Sequence, residues 1–230
     1  MNGPGRRRLN RYPNQPTLSS TAYEESLASV AQSTNTACSH WLDELSGTHR
    51  FSMGTGEVTR YLGTYGSGRV AKAVLMGAIP PFLLKTADNP EGVDQSVFDG
   101  IMAAVVADRP AYFKDFLDNF YNVDVLRPAR ISDQAWQNSF NVAVAASAHA
   151  AYACVGTWLT DFRADLPKID VPVLLVHGDA DRILPYAATA ARLPGLIKDL
   201  TFVTVEGGPH NIAWTHPEVV NPALLDFLAK

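Results

Sequence analysis

Several shortages in this sequence each exclude a class of protein. It has two cysteines, Cys38 and Cys154, 116 positions apart (154 − 38) and in no Cys-x-x-Cys or Cys/His spacing. That count offers neither a disulfide framework nor a zinc pattern, so free thiols in a reducing cytoplasm are the expectation. No apolar run reaches the length of a membrane span, and the start, with Arg6, Arg7, Arg8 and Arg11, lacks the apolar stretch of a secretory or twin-arginine signal. A soluble cytoplasmic protein with no membrane partner follows as the expectation. Positive charge is short as well: 19 Lys and Arg against 23 Asp and Glu leave a net charge of -4, with no basic stripe to carry nucleic acid.

A further shortage is local. Residues 1–50 are polar, carry Pro4, Pro13 and Pro16 among many Ser, Thr and Asn, and hold no apolar β-branched run. Even Leu45 to Arg50, where a strand should precede the first motif described below, is a poor strand candidate. No internal repeat is visible in the chain.

What is present suits one sizeable core: 230 residues, 47% hydrophobic and 18% charged. From Phe51 onward strand-like and helix-like segments alternate, the signature of a mostly parallel sheet with crossover helices. Val58, Tyr61, Leu62 and Tyr65 fall at helical spacing, and Gly66 can close that helix. Val70 to Ala78 and Val171 to Val176 read as buried strands, with Thr201 to Val205 as the next. Between them, residues 82–165 turn helical and aromatic: Phe113, Phe116, Leu117 and Phe120 make one stripe, and the Ala-rich stretch Val142 to Trp158 suits one closely packed helix. This segment reads as a helical cap inserted in the 51–230 domain. At the end, Asn221 and Pro222 read as the cap and first residue of a closing helix carrying Leu224, Leu225, Phe227 and Leu228.

Three motifs carry chemistry, in the order Ser, Asp, His: FSMGTG around Ser52, HGDADRILP around Asp181 and EGGPH ending at His210. A serine hydroxyl is a weak nucleophile until a histidine takes its proton and a carboxylate fixes that histidine's tautomer. The Ser…Asp…His order is that of hydrolases with a nucleophile on a tight strand-to-helix turn, where G-x-S-x-G keeps small residues on either side. Here Gly54 supplies the second small residue, but Arg50 stands where the first should be. A helix N-cap is the competing reading of Ser52. Asp181 occupies the G-x-x-D position after a strand, with Asp179 as its rival in a turn rich in Asp. His210 follows the Gly207-Gly208-Pro209 turn and is preferred as the base over His216, whose place before Pro217 looks like a helix start. His177 ends a strand and reads as a packing residue that shapes the acid loop.

The strings FSMGTGEVTRYLGTYGSGRVAKAVLMGAIPPFLLKTADNPEG, TDFRADLPKIDVPVLLVHGDADRILP and VEGGPHNIAWTHPEVVNPALLDFLA resemble the cofactor-free bacterial haloperoxidases of the α/β-hydrolase superfamily, also called non-haem chloroperoxidases or perhydrolases. The resemblance covers about Phe51 to Lys230. It implies an α/β-hydrolase fold, with Ser52 as nucleophile, Asp181 as orienting acid, His210 as general base and the backbone N–H of Met53 as one oxyanion donor. It also implies no metal and no cofactor. The substrates it implies are a small ester, or a short carboxylic acid with hydrogen peroxide, from which a peracid forms and oxidises halide away from the protein. Phe82, Trp136 and Trp158 become candidate pocket contacts in the cap.

The departures lie at the start. The family has strands and an HG-aromatic-P loop, the source of its second oxyanion donor, before the nucleophile; residues 1–50 have neither pattern. The N-terminal strands are therefore expected to be missing or replaced, through a shifted reading frame or a misassigned start. An exposed strand edge would then favour assembly into a homo-oligomer. Two function classes follow: an active serine esterase and perhydrolase, or an impaired hydrolase-like protein with an incomplete oxyanion hole.

Overall fold

The computed structural model describes residues 46–230, and the expectations for the earlier segment lie outside the described residues. Four strands, β1 (Ser46–Phe51), β2 (Val70–Met76), β3 (Val173–Gly178) and β4 (Leu200–Val205), lie side by side in chain order and are all parallel. Parallel neighbours need crossovers, and α1 (Met53–Tyr65) supplies the first.

β1 corrects the reading of its own sequence. SGTHRF has little strand propensity, yet it pairs with β2 from Ser46 opposite Val70 to Phe51 opposite Met76, with an irregularity between Ser46 and Thr48. Strand formation here follows from the apolar, fully committed β2 beside it, because β propensity is mostly a matter of what the neighbours offer. β3, in contrast, is buried at every residue, which is why Val173 to Val176 is an unbroken apolar run.

Both faces of the sheet are covered. On one, Val58 and Leu62 of α1 pack with Ala73, Leu75, Val173 and Leu175. On the other, Val220 and Phe227 pack with Val74, Leu174 and Val176. These last two belong to α8 (Pro217–Leu228), which follows the single turn α7 (Ile212–Thr215). The closing helix thus starts at Pro217, not at the expected Pro222, and Pro222 lies inside it. An interior proline costs about 3 kcal/mol, while fully burying Val and Phe side chains contributes about 1.5–3 kcal/mol each; packing wins. Lys72 Nζ closes the far end of α8 by donating to Phe227 O (3.0 Å) and Leu228 O (3.2 Å).

Between β2 and β3 come α2 (Gln95–Ala107), α3 (Arg109–Tyr121), α4 (Val123–Leu126), α5 (Asp133–Val144) and α6 (Ala148–Thr157). The aromatic stripe falls on α3 as its spacing predicts. The Ala-rich stretch is two helices rather than one. Ser147 caps α6 through the Ala150 N–H (3.4 Å), and Arg109 Nη1 donates to the carbonyls of Val144 (3.1 Å) and Ala146 (2.8 Å), holding the chain open at the break.

Candidate active site

Ser52 sits where β1 turns into α1, with φ 55° and ψ −128°, a backbone conformation that non-glycine residues rarely adopt. The turn is pinned on both sides. Its N–H donates to Met76 O (2.9 Å), and its C=O accepts from Thr55 N–H (2.9 Å) and Thr55 Oγ1 (2.6 Å). Thr55 Oγ1 also accepts from the Ile79 N–H (3.0 Å), so the turn is tied to the exit of β2.

The half-met G-x-S-x-G pattern has a steric explanation. A Cβ on Gly54 would stand 3.3 Å from both Cβ and Cδ of Arg50; the one glycine makes the room that lets Arg50 fill the other small-residue place. The helix-cap reading of Ser52 loses its defining bond, since its side chain makes no capping contact with α1. Its hydroxyl lies 2.8 Å from His210 Nε2.

His210 Nδ1 lies 2.6 Å from Asp181 Oδ2, completing a continuous chain from hydroxyl to imidazole to carboxylate. Both His210 and Asp181 have fully buried side chains. Asp181 Oδ1 accepts from the Ile183 and Leu184 N–H groups, each at 2.8 Å, which fixes the rotamer. Burial alone would push this carboxyl up, but hydrogen bonds from His177 and His210 and their proximity overcome it, holding it well below the usual carboxylate range. Asp179, the rival acid, turns away to accept from the Gly207 N–H (2.7 Å). His216 pairs with Thr215 Oγ1 (2.9 Å), outside this chain of contacts.

The acid and base loops meet at Gly178, the last residue of β3. A Cβ there would stand 2.1 Å from Gly208 O and 2.8 Å from Pro209 O, so only glycine lets the turn carrying His210 pass so close.

The surroundings of His210 are aromatic. The Phe51 ring is 4.8 Å from it and the Phe120 ring 5.1 Å. Phe120 belongs to the aromatic stripe read from sequence; spacing alone could not show that one member of the stripe meets a loop 90 residues away (210 − 120). The end of α3 also holds both loops. Asn211 donates from its backbone to Phe120 O (3.1 Å) and from its side chain to Tyr121 Oη (3.1 Å), while Asn122 Nδ2 donates to Ala180 O (2.9 Å). Asn122 takes φ 48°, which asparagine tolerates.

Met53 is the first residue of α1, so its N–H has no carbonyl partner inside the helix and stands at the positive end of the helix dipole. Its Sδ touches Cys154 Sγ (3.2 Å) and Thr157 Oγ1 (3.5 Å) of α6. The next residue, Trp158, packs with Ile79, Leu83, Phe162 and Leu184. Phe82 is buried under the Arg163 guanidinium, 4.9 Å from the ring. Trp136 stacks on Phe140 (5.4 Å) between α3 and α5. Among the described residues, no group of three or more His, Cys, Asp or Glu is placed to hold a metal ion, and no helix is long and apolar enough to cross a membrane.

A parallel sheet crossed by helices, with Ser, Asp and His converging from loops at one end, defines an α/β hydrolase. Residues 11–217 match the family model described as alpha/beta hydrolase fold, and the chain belongs to that family.

Among relatives, it is similar to a Synechocystis protein provisionally named a non-heme chloroperoxidase, 67% identical over 77% of this chain and 64% of the other. It is 40% identical to a non-heme chloroperoxidase of Streptomyces lividans and 34% identical to a bifunctional esterase/perhydrolase of Acinetobacter calcoaceticus, each over 77% of this chain and 64% of the relative. The chain thus spans 64% of the length of these relatives. Among solved structures, the bromoperoxidase of Bacillus anthracis aligns with a TM-score of 0.75 and 35% identity, over 79% of this chain and 66% of that one.

Proposed function

We propose that this chain is a serine hydrolase of small esters that works through an acyl-enzyme on Ser52, with hydrogen peroxide competing with water for the same intermediate. The observation that supports this reading is the hydroxyl–imidazole–carboxylate chain, at 2.8 Å and 2.6 Å. His210 Nε2 takes the proton as Ser52 Oγ attacks the ester carbonyl, and Asp181 stabilises the imidazolium that forms. The Met53 N–H donates to the developing oxyanion. His210 then returns its proton to the leaving alkoxide, leaving an acyl ester on Ser52.

Deacylation reverses the roles. Water gives the carboxylic acid; hydrogen peroxide, giving up its proton to His210, yields a peracid and frees Ser52. One triad therefore serves both esterase and perhydrolase chemistry, and halide oxidation by the released peracid needs no halide site. The peroxide branch is favoured by similarity to the esterase/perhydrolase of Acinetobacter calcoaceticus.

The impaired reading keeps one specific support: the HG-aromatic-P string that would bring a second oxyanion donor is absent before Ser52. Loss of one such donor costs roughly 10²–10³-fold in turnover.

The test is labelling of the full chain with a fluorophosphonate, alongside hydrolysis of p-nitrophenyl acetate and peroxide-dependent bromination in acetate buffer. Wild type is expected to label and hydrolyse, and Ser52→Ala to do neither. Labelling that persists in Ser52→Ala, or is absent from folded wild type, overturns the reading.

A further inference from the structure

A histidine outside the proposed triad is buried as deeply as Asp181 and His210. His177 is fully buried as the penultimate residue of β3, where a packing role needs only an apolar side chain. Both its ring nitrogens are engaged. Nδ1 lies 3.0 Å from the Ala78 N–H, and a backbone N–H only donates, so Nδ1 is the unprotonated nitrogen and accepts. The proton is therefore on Nε2. That N–H is directed at Leu184 O (3.0 Å), and Asp181 Oδ2 lies 3.3 Å from the same nitrogen, the longer of its two polar approaches.

Oδ2 is the oxygen that faces His210. It consequently stands between two imidazoles, one at 2.6 Å and one at 3.3 Å, while Oδ1 is occupied by two backbone N–H groups. Every donor reaching this carboxylate comes from inside the protein. A carboxylate so surrounded stays ionised when an imidazolium forms beside it, because protonating Oδ2 would set a new O–H against the His177 N–H.

We propose that His177 is a positioning residue of the hydrolytic site: as a neutral Nε2–H donor it holds Asp181 Oδ2 ionised and aimed at His210, and through Nδ1 it couples the acid loop to the exit of β2. This rests on the triad reading above. The titratable groups facing His177 are Asp181 and, across the ring at 6.1 Å, Tyr186. His210 lies beyond the carboxylate. Asp179 and Arg182 of the same loop are engaged elsewhere, with Gly207 and with Asp124.

Two substitutions separate the functions of the two ring nitrogens. His177→Gln is long enough to place an amide N–H near the Nε2 position; His177→Asn reaches only the Nδ1 position and can accept from Ala78. If the contact with Asp181 matters, His177→Asn loses roughly 10- to 100-fold in kcat for p-nitrophenyl acetate, the scale seen when an outer partner of a functional side chain is removed, with KM little changed. The acid limb of its kcat/KM profile, which follows protonation of the base His210, also moves to higher pH, because a carboxylate that has lost a donor attracts the imidazolium more strongly. His177→Gln recovers most of the rate and the wild-type limb. The opposite order, Asn restoring and Gln failing, or an unmoved acid limb in His177→Asn, overturns the proposal in favour of simple scaffolding.

A readout independent of activity and of variant folding comes from the wild-type full chain labelled with nitrogen-15 histidine. His177 is expected as the tautomer protonated at Nε2 and bare at Nδ1; the other tautomer overturns the proposal. If wild type neither hydrolyses ester nor labels at Ser52, the triad reading fails, while the histidine spectrum still decides the state of His177.

Discussion

The two halves of the site are built to different standards. The proposed acid and base, Asp181 and His210, come from loops after β3 and β4, have fully buried side chains, and are braced by backbone N–H groups, by His177 and by the end of α3. The serine comes from β1, which among the described residues pairs only with β2 and carries an exposed Arg50 two residues before the turn. The positions of Asp181 and His210 are over-determined by many contacts, whereas Ser52 depends on a strained turn held chiefly by Met76, Thr55 and Gly54. Precision in such a site is thus local to each residue's support, and the half with fewer supports sets its tolerance.

Breaking the well-supported half has the largest effect. Asp181→Asn keeps the shape but offers His210 the wrong hydrogen-bond partner, so kcat for p-nitrophenyl acetate is expected to fall about 10³–10⁴-fold, as steady-state rates at neutral pH will show. Gly178→Ala strikes the same half sterically. With a backbone oxygen 2.1 Å from the new Cβ, the two loops must separate, and urea unfolding should show a loss of about 3 kcal/mol.

Acid sharpens the comparison. The Asp181 carboxyl is held below its unfolded value, near 3.9, so its contribution to stability is complete above that value and is lost as pH falls through the lower folded one. Unfolding free energy measured from pH 7 to pH 3 should therefore drop more steeply for wild type than for Asp181→Asn once the pH passes below about 4. The smallest effect is expected in the other half. Arg50→Gly restores the usual small residue but adds chain entropy to β1, costing about 0.5–1 kcal/mol, with less than about 3-fold change in turnover, because Gly54 already provides the space. A larger gain in rate would show that Arg50 distorts the turn.

The sequence revealed the well-supported half best, for a physical reason. β3 announces itself because both of its faces are covered, and the order Ser52, Asp181, His210 could be read because each follows or opens a periodic segment. β1 was illegible: its strand character comes from pairing with β2, not from SGTHRF. The start of α8 was misjudged because Pro222 looks like a helix opening until the packing of Val220 and Phe227 is known. His177 reads as a packing residue and Phe120 as one member of an aromatic stripe; what they touch is set by tertiary approach, which no local pattern encodes. The explanation of Arg50 likewise needed the distance to Gly54.

The bonds from α3 to the two loops have a dynamic consequence. Asn211 and Asn122 fasten the last turn of α3 to the base loop and the acid loop at once, so that turn cannot swing outward without slackening His210 and the approach to Asp181. Any opening that admits substrate while leaving the proton path taut must hinge elsewhere in the helical layer.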